Sequence, residues 1–154
     1  MATSDTAAPG TPALDPPALK ALLERTLSTV IADWVRELEL RVIDAARGDV
    51  LLALPVTPRH VHGGGVISGQ TLMAAADTAM VLAVTSQLGE FRPMTTVQLQ
   101  TSFLRPVPGD AGEALVHARV LRAGKSLAFG DIQITHGGDR RVLAAHATTT
   151  YALL

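Results

Sequence analysis

The sequence predicts an α+β fold: one antiparallel sheet curled around a long buried helix, with an amphipathic helix in front. Three observations carry this. Gln70–Gln87 is apolar on nearly every face, and Asp77 is the only formally charged residue between Arg59 and Glu90. A helix apolar all round is buried, so the rest of the chain must wrap it. Two segments before it and four after it read as strands, divided by Gly, Pro and Asp. The later strands are joined by hairpin-length turns, which makes the sheet largely antiparallel.

Each element follows from local chemistry. Asp15 is placed to cap a helix that starts at Pro16, where the absent N–H costs nothing. Leu19, Leu22, Leu23, Thr26, Leu27, Val30, Ile31 and Trp34 then recur at helical spacing as one apolar stripe. A strand is expected around Leu38–Asp44, where Leu38, Leu40 and Val42 alternate with Glu39 and Arg41. A turn at Ala46-Arg47-Gly48-Asp49 leads into Val50–Pro55, pairing the two as a hairpin. Turn formers fill Thr57–Gly65. Beyond the buried helix, Thr95–Leu104 places Val97, Leu99, Thr101 and Phe103 on one face and Thr96, Gln98, Gln100 and Ser102 on the other. Pro106, Pro108, Gly109 and Asp110 end it. Glu113–Leu121, Leu127–Thr135 and Arg141–Tyr151 complete the sheet, divided by Ala123-Gly124-Lys125 and Gly137-Gly138-Asp139. Residues 1–14, rich in Ala, Thr, Pro and Gly, read as a disordered leader, and 15–154 as one domain.

Composition removes several functions. The 154 residues are 47% hydrophobic and 18% charged, enough to build a core. Thirteen Lys and Arg against 14 Asp and Glu give a net charge of −1, and no stretch is basic enough to attract nucleic acid. With no cysteine there is no disulfide, thiolate nucleophile or Cys-ligated metal. The start of the chain lacks the basic and apolar regions of a signal peptide. The one span with transmembrane character, Ile67–Leu88, carries Asp77 near its middle, which costs about 2.5–3.5 kcal/mol on insertion. The chain is therefore read as soluble and cytoplasmic, with no membrane partner.

Residues 60–80, HVHGGGVISGQTLMAAADTAM, hold the most chemistry. Gly64–Thr71 spells a phosphate loop but has Gln70 in the lysine position, so the charge that reaches the β/γ-phosphates is missing. A dinucleotide fingerprint begun at Gly63 and Gly65 meets Ser68 instead of its third glycine, and a serine nucleophile elbow meets Val66. His60 and His62 with Asp77 would make an incomplete metal set, and hydrogen-bonded histidines without metal are the expected reading. What survives is a glycine-rich loop feeding a helix N-terminus, whose free N–H groups and dipole suit a polarised carbonyl or an oxyanion. Two turns on, Asp77 needs a polar partner, a wet cleft or a subunit interface. It is either a reacting carboxylate or one that accepts hydrogen bonds from a neighbouring backbone or threonine.

The order HGGGVISGQ, buried helix with Asp77, TTVQLQTSFLRP and RAGKSLAFGDIQI resembles the hotdog-fold acyl-CoA thioesterases, in the branch of the phenylacetyl-CoA and 4-hydroxybenzoyl-CoA enzymes. The likeness runs from about Val35 to the C-terminus. That family's pattern is an Asn, six residues later His-Gly-Gly, and nine residues after that His an Asp or Glu in the central helix. Here Asp77 stands nine residues after Ser68, and Gly69 matches the first glycine. Ser68 replaces the His, His62 the Asn and Gln70 the second glycine. The resemblance implies hydrolysis of an acyl-CoA thioester, with Asp77 as general base or nucleophile and Thr96 orienting water. The Gly69 N–H would hold the oxyanion, assisted by His62 or Ser68. Gly65 and Gln70 are expected to touch substrate, and Arg105, Arg122 and Lys125 to meet the coenzyme A phosphates. Coenzyme A belongs to the substrate, and no separate cofactor or metal is implied. The resemblance also implies a homodimer or a homotetramer with sites at the subunit interface. A hotdog hydratase or dehydratase is the nearest rival, weakened by the lack of a His at Ser68 or in the helix. A non-catalytic acyl-CoA binding module is the rival from another class. Ala74, Ala75 and Ala76, with few aromatics, suggest room for a bulky or long acyl group.

Overall fold

Helix α1, Pro16–Thr29, starts where Asp15 accepts the Ala18 N–H at 2.8 Å, and it buries Leu19, Leu22, Leu23 and Thr26. The computed structural model describes residues 13–154, so the expected leader lies outside the described residues except for its last two. The apolar stripe is not one continuous helix. It breaks after Thr29, and a separate turn, α2, Asp33–Arg36, follows. There Val35 is buried while Trp34 is 64% exposed, contrary to the stripe. The break has a local cause: Ser28 and Thr29 hydroxyls donate to the Arg25 carbonyl, and hydroxyls bonded to the backbone weaken a helix end.

Strands β1, Arg41–Ala46, and β2, Asp49–Pro55, pair antiparallel around Arg47-Gly48, where Gly48 takes φ 73°. The first strand begins at Arg41 rather than Leu38, because Leu38 and Glu39 close the α2 turn onto Val35 and Arg36. Helix α3, Gly69–Leu88, is capped by Ser68, whose hydroxyl accepts the Thr71 N–H at 3.3 Å, and Gly89 ends it at φ 78°. Its length and composition would suit a membrane span, yet most of it is buried inside the fold.

The sheet is completed by β3, Met94–Phe103, β4, Glu113–Ala123, β5, Leu127–His136, and β6, Leu143–Leu153. Its six strands run in the order β1-β2-β4-β5-β6-β3, with every pair antiparallel. Leu52, Leu54, Val116, Ile132 and Ile134 close over Ala75, Ala79, Met80, Leu82 and Ala83 of α3. Burial of each large aliphatic side chain contributes about 1.5–3 kcal/mol. The outer face is polar: Asp131 accepts from Arg119 Nη2 and pairs with His146 Nε2, each at 3.0 Å.

The face assignment of β3 needs one correction. Thr96 pairs with Tyr151, but Gln98 pairs with Thr150, so the register shifts by one residue at Val97. That bulge places Thr96 on the helix-facing side with Leu99, Thr101 and Phe103, not on the polar face with Gln98. Val97, expected on the face of Leu99, Thr101 and Phe103, is 61% exposed.

Candidate active site

Asp77 is half-buried on α3, and its carboxylate meets hydroxyls from two strands. Thr96 Oγ1 on β3 donates across both oxygens, 3.0 Å from Oδ1 and 3.3 Å from Oδ2. The Tyr151 hydroxyl on β6 donates to Oδ1 and also lies 3.0 Å from the Asp77 carbonyl oxygen. Thr96 and Tyr151 are opposite each other across the ladder, so both side chains leave the sheet on one face, toward α3. The polar partner that a lone carboxylate on an apolar helix demands is thus a pair of hydroxyls.

Tyr151 is 1% exposed. Burial, then the Asp77 charge, then the hydrogen bond to Asp77 raise its phenol well above the ordinary value, while the Thr96 hydroxyl pulls weakly the other way. It therefore stays protonated and acts as a standing donor. Sequence reasoning missed it. Tyr151 is the chain's one tyrosine, but nothing local to it announces a partner 74 residues away.

The helix N-terminus forms a second half. The first N–H groups of a helix have no carbonyl one turn back. Ser68 satisfies one of them, its Oγ taking the Thr71 N–H at 3.3 Å, while its carbonyl accepts the Leu72 N–H at 3.3 Å as the first ordinary helical bond. Gly69 and Gln70 come before these in the first turn, so their N–H groups remain for a ligand. The Ser68 hydroxyl also bonds Thr71 Oγ1 at 2.8 Å, which commits it to the cap. A Cβ on Gly69 would stand 3.1 Å from Phe103 Cζ, so glycine lets that ring cover the helix start. Beside them opens a cleft of about 330 Å³, lined by Val66, Ile67, Leu72, Phe103 and Arg105 among others.

His62 is exposed, and its Nδ1 accepts the Gly64 N–H at 2.9 Å, leaving Nε2 as the protonated nitrogen of the neutral ring. Gly65, at φ 77°, turns the loop by donating to the His62 carbonyl at 2.9 Å. Gln70 is exposed at the helix start. His60 is buried, with Nδ1 3.2 Å from the Pro55 carbonyl oxygen, which makes it a structural residue. Among the described residues, no group of three or more His, Asp or Glu is arranged to hold a metal ion.

The basic candidates separate. Arg105 follows β3 and lines the cleft near Gly69, with Nη1 3.2 Å from the Leu143 carbonyl oxygen. Arg122 and Lys125 are exposed around the β4–β5 turn, at the other end of the sheet, where Leu127 pairs with Ala152 and Met94 with Leu153. Ala75 and Ala76 are fully buried, so most of the small-residue face serves packing rather than acyl space.

A long helix wrapped by one antiparallel sheet, with a carboxylate in the helix and free amides at its start, is the hotdog architecture. The chain belongs to the thioesterase superfamily, whose sequence pattern matches residues 60–143. A Pseudomonas aeruginosa protein named as an esterase, PA0474, is 32% identical over 101 residues, covering 65% of this chain and 73% of its own. Conserved protein PA5202 of P. aeruginosa superposes with a TM-score of 0.72 at 28% identity, over 80% of this chain and 95% of its own. Zebrafish thioesterase superfamily member 2 gives a TM-score of 0.76 at 22% identity, over 92% and 99%. PaaI from the E. coli phenylacetic acid degradation operon gives 0.73 at 22%, over 88% and 96%. The last two share the fold. Superfamily membership and the esterase-named relative support a thioester hydrolase.

Proposed function

We propose that the protein hydrolyses an acyl-CoA thioester to the free acid and coenzyme A, at a site built by two protomers. The observation that carries this reading is the Asp77 carboxylate, held by two hydroxyls on an otherwise apolar helix. Asp77 takes a proton from water as the water oxygen attacks the thioester carbonyl carbon. The oxyanion forms at the Gly69 N–H, where the helix dipole also favours negative charge; one such donor contributes about 2.7–4 kcal/mol in studied hydrolases. Collapse breaks the carbon–sulfur bond, and the proton held by Asp77 passes to the departing thiolate. In the nucleophilic variant the Asp77 oxygen attacks the thioester carbonyl and expels the coenzyme A thiolate, and water then cleaves the mixed anhydride, returning the Asp77 carboxylate and the free acid while the water's second proton goes to the thiolate. The single Thr96 proton is directed at Asp77, so Thr96 orients water by accepting from it. His62 assists as an Nε2–H donor, and Ser68 assists by fixing the helix start.

Two protomers are needed for a geometric reason. Gly69 and Asp77 are eight residues apart on one helix, about 12 Å of rise, too far to serve one carbonyl group. Strand β3 is a sheet edge ten residues long, with Val97 and Phe103 on it and Leu104 just beyond it each more than half exposed. Such an edge invites pairing. Two β3 edges paired antiparallel about a two-fold axis place each Asp77 near Gly69 of the partner subunit. The same pairing gathers Arg122 and Lys125 of one protomer and Arg105 of the partner subunit at one end, a basic setting for coenzyme A phosphates. A homodimer is the minimal unit, and a homotetramer of two such dimers is compatible with it.

The test is thiol release from a panel of acyl-CoAs by the native protein and Asp77→Asn, with particle mass measured for both. The chain has no cysteine, so all colour with a thiol reagent comes from freed coenzyme A. Release by a native dimer, lost in a dimeric variant, is the expected result. Activity that survives Asp77→Asn overturns the role of Asp77. Binding without release by the native protein overturns catalysis in favour of an acyl-CoA binding module.

A further inference from the structure

We infer that Tyr151 is the positioning residue that orients the Asp77 carboxylate, anchoring Oδ1 and leaving Oδ2 as the reacting oxygen. This rests on the reading of Asp77 as base or nucleophile. The two oxygens are not equivalent. Oδ1 receives the Tyr151 hydroxyl and the shorter Thr96 contact, while Oδ2 has only the Thr96 contact at 3.3 Å. A hydroxyl that spends its proton on Oδ1 blocks that oxygen toward water and stops the carboxylate from rotating. The open oxygen is then presented in one orientation, which is what proton abstraction from a bound water requires.

The arrangement is specific to a hydroxyl rather than to an aromatic ring. Packing alone would accept phenylalanine at position 151, since Tyr151 belongs to the apolar core and pairs with Ala128 on β5. The phenol oxygen instead ends within reach of the one charge in α3. Every element around Asp77 leaves Tyr151 as its titratable neighbour. From β3 comes Thr96, which is neutral; from β2, β4 and β5 the inward side chains are apolar, as at Leu52, Val116 and Ile132; from α1 they are Leu19, Leu22, Leu23 and Thr26. A donor that stays protonated therefore faces a carboxylate with no cation beside it among the described residues. It fixes the direction in which that carboxylate presents its second oxygen.

Because Tyr151 is the only tyrosine, growth on 3-fluorotyrosine replaces this residue alone and leaves its shape almost unchanged. The experiment compares native, fluorotyrosine-substituted and Tyr151→Phe protein. In each, the Asp77 carboxyl carbon-13 signal is recorded by NMR at neutral pH, identified by its absence in Asp77→Asn, and kcat and KM are measured. Loss of the donor in Tyr151→Phe should shift that signal, and the stronger fluorophenol donor should shift it the opposite way. kcat should fall about tenfold in Tyr151→Phe, with KM little changed. An Asp77 signal identical in all three proteins overturns the inference. So does a Tyr151→Phe effect confined to stability, or, should that variant not fold, a fluorotyrosine protein with an unmoved signal. A native protein that releases no thiol overturns the hydrolase reading instead, and the carboxyl signals still decide whether Tyr151 holds Asp77.

Discussion

Thr96 and Tyr151 face each other across the β3–β6 ladder, one residue before the register of that ladder shifts. The pairing turns both hydroxyls inward onto Asp77, and the shift puts Gln98, Gln100 and Ser102 on the outer face. Were Val97 paired in unbroken alternation instead of bulged, Thr96 would share the face of Gln98 and Gln100, and the carboxylate would lose one of its two donors.

Thr96 should accordingly tolerate serine but not valine. Thr96→Val removes the hydroxyl from Asp77 at nearly constant volume and should lower kcat by about tenfold to a hundredfold. Thr96→Ser keeps the donor and should retain most activity. Steady-state kinetics on the best acyl-CoA of the panel measures both, and equal losses would show that the hydroxyl is not what matters.

Gly69 has a steric duty besides its N–H. In Gly69→Ala the new methyl meets the Phe103 ring at 3.1 Å, so the ring must give by a few tenths of an ångström at the helix start. The expected cost is about 1 kcal/mol with a fall in kcat/KM, and Phe103→Leu in the same chain should recover the stability. Urea unfolding of the single and double variants checks this.

Gly130 on β5 lets the end of Met80 from the central helix lie against the sheet. A Cβ there would lie 2.2 Å from Met80 Sδ and 2.8 Å from the Arg119 carbonyl oxygen. The methionine end can swing away, but the backbone oxygen cannot. Gly130→Ala should destabilise by about 2–3 kcal/mol, read from the denaturant midpoint, without a specific effect on KM.

The phenol of Tyr151 gives a pH signature. Its folded value lies above the ordinary 10.0, so the native state holds this proton more tightly than the unfolded state. The resulting stability is fully present below about pH 10 and is lost as pH rises from there toward the folded value. With one tyrosine in the chain, tyrosinate absorbance should appear only together with alkaline unfolding. Tyr151→Phe should show a weaker dependence of stability on alkaline pH. Tyrosinate absorbance that rises near pH 10 while the fold persists would contradict the buried donor.

Much of this molecule was legible in one dimension because the signals are local. Ser68 and Gly89 bracket α3 within one residue of the expected ends, since a capping hydroxyl and a left-handed glycine act on their own neighbours. The hairpins joining β4, β5 and β6 follow from Gly124 and Gly137-Gly138 for the same reason. Asp77 stood out because a charge inside an apolar run is visible without knowing what surrounds it.

The tertiary structure decided the rest. The stripe ending at Trp34 broke because hydroxyl-to-backbone bonds compete with a helix end, and periodicity does not weigh that competition. The face of Thr96 was misread because strand alternation holds only while register holds, and a bulge is set by the partner strand. Tyr151 was invisible as a partner of Asp77 because 74 residues separate them and only the closed sheet brings them together. Local pattern shows which helix is buried and that its single carboxylate needs a polar partner. Folding determined which hydroxyls answer it, because register and burial are properties of paired strands and not of any one segment.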